Sequence, residues 1–143
     1  MLPNQSKNYI VCIDTGVNTG YAVFDLDKEK FITISTMKIH TAMFNVKDIQ
    51  ESINYVIVED ARLATFGRKR AVDQLKAQGA GSIKRDAKIW EDYLNDLGIK
   101  YKMKRPKKSL TKVNANDFKK ITGWTGRTSQ HARDAAMLIY NFN

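Results

Sequence analysis

The sequence predicts an α/β domain built on a five-stranded mixed sheet, and two observations carry that prediction. Three segments rich in β-formers follow one another with only short polar turns between them, which favours an antiparallel meander. Helix and strand patterns then alternate, which favours parallel strands with helices packed on the sheet. The chain has 143 residues, so we expect one domain over 1–143, with residues 1–7 as a disordered tail.

Apolar periodicity places the elements. Strands are expected at 8–14, 21–26, 31–39, 54–60 and 99–103, and helices at 41–53, 71–97, 113–121 and 128–141. The long helix should end at Gly98 and the last should be capped by Thr128 or Ser129. The core stripe of the long helix comprises Leu75, Ile83, Ala87, Trp90, Tyr93, Leu94 and Leu97. Gly79 and Gly81 weaken this helix unless another element packs closely there.

Composition excludes several classes of protein. With 43% hydrophobic residues, eight Gly and two Pro, the chain is neither disordered nor collagen-like. No apolar stretch is long enough for a membrane helix, and the polar segment 1–8 lacks the apolar region of a secretory signal. The single cysteine, Cys12, lies in an apolar run. It is expected to be a core residue of a reduced, cytoplasmic protein.

The net charge of +9 is unevenly distributed along the chain. Residues 1–60 carry five basic and eight acidic side chains, whereas residues 61–143 carry nineteen and seven. Seven basic residues and no acid lie between positions 100 and 112. A solvated face is the ordinary explanation of one basic run, but this split favours an acidic centre beside a cationic surface that binds nucleic acid. The basic stretches lack the aromatic pattern of a membrane-surface helix.

Acids end two of the predicted strands. Asp14 ends the first, and Glu59 and Asp60 end the fourth. An acid at one strand end commonly marks the point where the chain reaches solvent, but two on neighbouring strands repel each other unless a proton or cation intervenes. Strand alternation lets only one of Glu59 and Asp60 face the same side as Asp14.

The last helix adds His131 and Asp134, which lie on one helix face. The small residues after Asp134 indicate close packing on the sheet, with the aspartate directed inward. Carboxylates with one imidazole suit Mg²⁺ or Mn²⁺. One Cys and two His give no cluster at zinc spacing.

Four segments in order resemble the RuvC-type Holliday junction resolvases of the RNase H-like superfamily. They are IDTGVNTGYAV (13–23), YVIVED (55–60), LKAQGAG (75–81) and HARDAAMLIY (131–140). The short, divergent sequence is similar to phage or viral members. The resemblance implies an RNase H-like sheet with the first strand beside the fourth. It also implies a Mg²⁺-dependent endonuclease that resolves four-way DNA junctions by two-metal hydrolysis, in which Mn²⁺ can substitute.

By the same resemblance, the catalytic and metal-binding set is Asp14, Glu59, His131 and Asp134, with Asp60 as a possible extra acid. His131 stands where many members have an acid, and Thr15 stands where the family usually has proline. The register of the motif favours Glu59 over Asp60. A two-fold dimer is expected through the long helix, with no membrane partner, no nucleotide cofactor and a place in the (host) cytoplasm.

Binding of branched DNA is assigned to the basic residues around this centre. Those expected to contact DNA are Arg68, Lys69, Arg70, Lys76, Lys84, Arg85, Lys104, Arg105, Lys107 and Lys108. Phe66 is expected either to wedge between bases at the branch point or to fold back as a core residue. No base-reading motif is present, so recognition by shape is favoured.

Three other functions fit parts of the pattern. A flap or RNA–DNA hybrid nuclease would use the same scaffold, and a non-catalytic protein would use the same basic surface to bind branched DNA. The turn DTGVNTG also resembles the phosphate-binding turn of sugar and acetate kinases, but 143 residues cannot supply the second lobe that those enzymes need.

Overall fold

A computed structural model describes residues 6–63, 80–106 and 112–140. It confirms the predicted α/β class. The strands are β1 (Tyr9–Asp14), β2 (Asn18–Asp25), β3 (Lys30–Lys38), β4 (Ile53–Glu59) and β5 (Tyr101–Lys104). They form one sheet in the order β3-β2-β1-β4-β5. The β1–β2 and β2–β3 pairs are antiparallel, and the β1–β4 and β4–β5 pairs are parallel, so the meander and the parallel half are both as predicted.

Four α-helices are described. They are α1 (Ile39–Asp48), α2 (Ala80–Leu97), α3 (Ala115–Thr122) and α4 (Gln130–Met137), with short 3₁₀ turns at Gln50–Ser52, Ala61–Leu63 and Leu138–Tyr140. Gly98 follows α2 with a positive φ of 69°, and Gly123 ends α3 in the left-handed conformation. Ser129 caps α4 by accepting a hydrogen bond from the backbone N–H of Ala132, which settles the predicted choice between Thr128 and Ser129.

The predicted boundaries differ from the structure at three functional places. Strand β2 begins at Asn18, three residues before the predicted start, because Thr19 and Gly20 already pair with neighbouring strands. Strand β4 ends at Glu59, so Asp60 lies just outside the sheet. Strand β5 extends to Lys104, which was predicted to begin a basic loop.

Two further features of the sequence are the tail at 1–7 and the glycines of the long helix. Residues 1–5 lie outside the described residues, whereas the Lys7 carbonyl accepts a hydrogen bond from Asn54. Within α2, no described atom lies within 4 Å of a Cβ built on Gly81, so no described element packs closely on that glycine. Leu75 and Gly79 lie outside the described residues.

The sheet is covered on both faces. On one face, α3 and α4 pack against alternate residues of the central strands, such as Cys12 and Ile57. On the other, α1 and α2 pack against the intervening residues, with Trp90 and Leu94 fully buried. Burial raises the pKa of the Cys12 thiol to about 12, so Cys12 stays protonated as a core residue. Among the described helices, none is long and apolar enough to cross a membrane.

Candidate active site

The carboxyl ends of β1 and β4 bring two acids side by side. In the parallel β1–β4 pair, Asp14 lies directly opposite Glu59. Both residues follow the alternation of Cys12 and Ile57, so their side chains emerge on the face covered by α4. Asp14 is buried and Glu59 is half-buried. The adjacency of these strands, which the family resemblance implied, is therefore present in the fold.

Gly20 allows α4 to reach these acids. It pairs with Asp14 across the antiparallel β1–β2 ladder. A Cβ atom built on Gly20 would lie 2.0 Å from the backbone oxygen of His131 and 3.0 Å from the Asp14 Cβ. Only a residue without a side chain fits between the sheet and the first turn of α4. This contact sets the position of His131 relative to Asp14.

The first turns of α4 supply the other two predicted site residues. The Nδ1 atom of His131 lies 3.1 Å from Oδ2 of Asp14. One turn later, Asp134 accepts a hydrogen bond from Gln130 at Oδ1 and pairs with Lys112 at Oδ2, at 2.8 and 3.2 Å. The structure thus brings Asp14, Glu59 and His131 to one edge of the sheet, with Asp134 adjacent.

The carboxylates of this edge disfavour one another's ionised forms. Burial is the main cause that raises the pKa of Asp14 to about 6, and the charge of Asp134 raises it further, while the His131 hydrogen bond lowers it. Burial also raises the pKa of Glu59 to about 8, assisted by the charges of Asp14 and Asp134. Among the described residues, no hydrogen-bond donor contacts the Glu59 carboxylate. Among the described residues, the site therefore has too little positive charge to balance its carboxylates when they are ionised.

Asp60 does not belong to the group of acids at this edge of the sheet. Its buried carboxylate accepts hydrogen bonds from Nε and Nη2 of Arg62 at 2.8–3.0 Å, and from the Arg62 backbone N–H. Arg62 also pairs with Glu91 of α2, on the opposite face of the sheet. Of the two candidate acids at the end of β4, Glu59 is the one that lies beside Asp14, whereas Asp60 is paired with Arg62.

The donor set suits a hard divalent cation, although it is not preassembled. Three carboxylates and one imidazole are the ligand types that Mg²⁺ and Mn²⁺ accept, and the raised pKa values of the two strand acids show that their ionised forms are disfavoured without a cation. In the described ranges, no three His, Cys, Asp or Glu side chains form a ready metal cluster. His131 contacts Asp14 instead, and Asp134 contacts Gln130 and Lys112.

The predicted DNA-binding residues divide into three groups. Lys84, Arg85 and Arg105 are exposed. Lys104 was wrongly placed on the surface: it is 5% exposed, and its ammonium donates to the carbonyl of Leu138, so it cannot offer a free face to phosphate. The remaining predicted residues lie outside the described residues: Phe66, Arg68, Lys69, Arg70, Lys76, Lys107 and Lys108.

Sequence reasoning missed several residues that build the site. Lys112 and Gln130 contact Asp134, and Arg133 ties Gln130 to the neighbouring backbone. The spacing of Gln130 and Asp134, four residues apart on one helix, could have predicted their contact. The Lys112 contact joins segments 22 residues apart, and no local pattern signals it.

The stability of the metal-free protein should fall as pH rises from about 5 to 9. Glu59 and Asp14 hold protons in the folded state at pH values where the unfolded chain has released them, so deprotonation favours unfolding. Glu59→Gln removes one acid and, with it, the negative charge that repels the ionised form of Asp14. In EDTA, we expect this variant to melt about 5 °C above the wild type at pH 9 and close to it at pH 5. If the melting temperatures of the wild type and of Glu59→Gln change in the same way with pH over this range, the interpretation that the buried acids destabilise the protein is wrong.

Comparison with known proteins identifies no relative of this chain. No protein-family model matches the chain, and neither the curated proteins nor the solved structures contain a significant match. The function must therefore be argued from the site and from the sequence resemblance alone.

Proposed function

We propose that this protein is a divalent-metal-dependent endonuclease that cuts four-way or otherwise branched DNA. The observation that carries the proposal is the pairing of Asp14 with Glu59 at the ends of adjacent parallel strands, with His131 of α4 on the same face. Burial and neighbouring carboxylates make ionisation of these two acids unfavourable, which is why the pKa of each is raised. A proton or a bound cation compensates the cost of ionisation, and we assign this role to divalent ions during catalysis.

Asp14, Glu59, His131 and Asp134 would hold the divalent ions, with Mg²⁺ as the expected cofactor. When bound, such ions supply activation of a water and stabilisation of the leaving oxygen in phosphodiester hydrolysis. The chain itself fixes the positions of its donors. The ladder between β1 and β4 aligns the two strand acids, and Gly20 lets α4 place the imidazole against Asp14. A hydrogen bond from Thr15 Oγ1 to the Glu59 carbonyl further joins the two strand ends.

Exposed cationic side chains on several elements support DNA as the substrate. Exposed basic residues lie on α2, on β5 and just after it, and on α3 and the turn that follows it, namely Lys84, Arg85, Lys102, Arg105, Lys119, Lys120 and Arg127. Phosphate contacts of this kind give affinity without base readout. A two-fold dimer through α2 belongs to the proposal, because resolution of a four-way junction requires two symmetric cuts.

A panel of labelled substrates tests the proposed activity. Four-way junctions, three-way junctions, flaps, linear duplex and RNA–DNA hybrid are incubated separately with the protein and Mg²⁺. We expect the fastest cutting on a branched DNA and little on linear duplex. Preference for the hybrid would make the protein a ribonuclease of the same general fold. Tight junction binding with no cutting on any substrate would make it a non-catalytic branched-DNA-binding protein.

A further inference from the structure

Asp134 is the site residue whose carboxylate is already engaged on both oxygens. Gln130 donates its side-chain N–H to Oδ1 at 2.8 Å, and the Lys112 ammonium lies 3.2 Å from Oδ2. Asp14 and Glu59 have no such lysine contact among the described residues. One carboxylate of the acidic edge is therefore neutralised by a side chain of the protein itself.

The backbone beside Lys112 is anchored to α4. Arg133 donates from Nε to the Val113 carbonyl at 2.9 Å and from Nη1 to the Thr128 carbonyl at 2.8 Å. Its Nη2 atom donates to Oε1 of Gln130, which in turn holds Asp134. The side chain of Val113 packs on the core beneath α4. The backbone at Lys112 is thus held in place next to the acids.

The contact between Lys112 and Asp134 is an ion pair with an exposed lysine. Lys112 places its ammonium 3.2 Å from Oδ2 of Asp134. Its side chain is 65% exposed, and ion pairs with so exposed a partner contribute little stability. The ammonium can therefore leave Asp134 at small cost. This combination suits a temporary counter-ion better than a structural salt bridge.

We infer that Lys112 is an internal cation that occupies Asp134 Oδ2 in the metal-free protein and competes with the divalent ion for that oxygen. Gln130, backed by Arg133, is a positioning residue that keeps Oδ1 fixed during the exchange. This inference rests on the proposed metal-dependent function and adds a competitor to it.

Manganese binding to the metal-free protein, without DNA, tests the competition. Lys112→Met keeps the length of the side chain and removes its charge. We expect its Mn²⁺ dissociation constant, measured by calorimetry and by the loss of the free-ion electron paramagnetic resonance signal, to be roughly tenfold lower than that of the wild type. Lys112→Arg should bind Mn²⁺ about as the wild type does.

The matched control is Lys47→Met, which removes the same charge from an exposed position on α1. It should leave the Mn²⁺ affinity unchanged. Wild-type affinity in Lys112→Met, or weaker binding, would overturn the inference while leaving the proposed function in place. If neither the wild type nor Lys112→Met binds Mn²⁺, the metal-dependent function itself fails and the inference fails with it.

Discussion

Replacing Asp14 with Asn should abolish cleavage of branched DNA while leaving its binding intact. The substitution preserves volume but removes the charge of the most buried acid of the site, which also accepts the contact from His131. Loss of an outer-shell partner of a metal ligand already costs about 10–100-fold. We therefore expect the loss of the ligand itself to lower the single-turnover rate by at least about a hundredfold. If the exposed basic residues hold the junction, as we propose, its affinity should change less than about twofold.

The matched control is Asp96→Asn, which removes the same charge from α2, away from the acidic edge. It should cut at the wild-type rate. Junction affinity is measured with Ca²⁺ in place of Mg²⁺, and circular dichroism verifies the fold of each variant. Wild-type cutting by Asp14→Asn would show that the acids on β1 and β4 are not the catalytic centre.

The second large effect is expected at Gly20. Gly20→Ala places a methyl group 2.0 Å from the His131 carbonyl oxygen, which belongs to the backbone and cannot rotate away. The first turn of α4 must shift by about 1 Å, and a misplacement of that size can cost about 10²-fold in rate. We expect cleavage to fall about a hundredfold and the melting temperature to fall as well. The measurement is the single-turnover rate together with a thermal melt.

Gly81→Ala supplies the control for this substitution. Gly81 lies in the first turn of α2, and no described atom lies within 4 Å of the position that its new methyl group would take. The same chemical change should therefore leave cleavage unchanged and stabilise the protein by about 0.5–1 kcal/mol. If Gly20→Ala is as active and stable as Gly81→Ala, the close approach of α4 to the sheet does not position the site.

Most of the fold could be predicted because its signals are local. Apolar runs such as 54–59 mark the buried strands, and Gly98 and Gly123 mark helix ends through their positive φ. The strand ends also located Asp14 and Glu59. Alternation of side chains on β4, combined with the ion pair at Arg62, then explains why Asp60 points away from the site.

Contacts distant in sequence could not be predicted in the same way. Lys104 lies in a run of basic residues, so the sequence predicts that it is exposed. The register of β5 beside β4 places its side chain in the interior instead. The contact of Lys112 with Asp134 depends on how the segment before α3 packs on α4. Gly20 was recognised as part of a turn motif, but its role follows from a tertiary contact with His131. In each case the partner lies on another element.

We expect Mg²⁺ to be more important for cutting than for binding, because the acids of the site disfavour a nearby phosphate in the metal-free protein. If the exposed lysines and arginines hold DNA through its phosphates, as proposed, binding should survive in EDTA and weaken with salt.

The most direct measurement is the cleavage of an immobile four-way junction, labelled in turn on each strand, by the wild-type protein with Mg²⁺ and with EDTA. We expect paired nicks on opposing strands that leave a 5′ phosphate and a 3′ hydroxyl, with no product in EDTA. Undiminished cutting in EDTA, or intact junction with Mg²⁺ under conditions where the protein is bound to it, would show that the protein is not a metal-dependent junction nuclease.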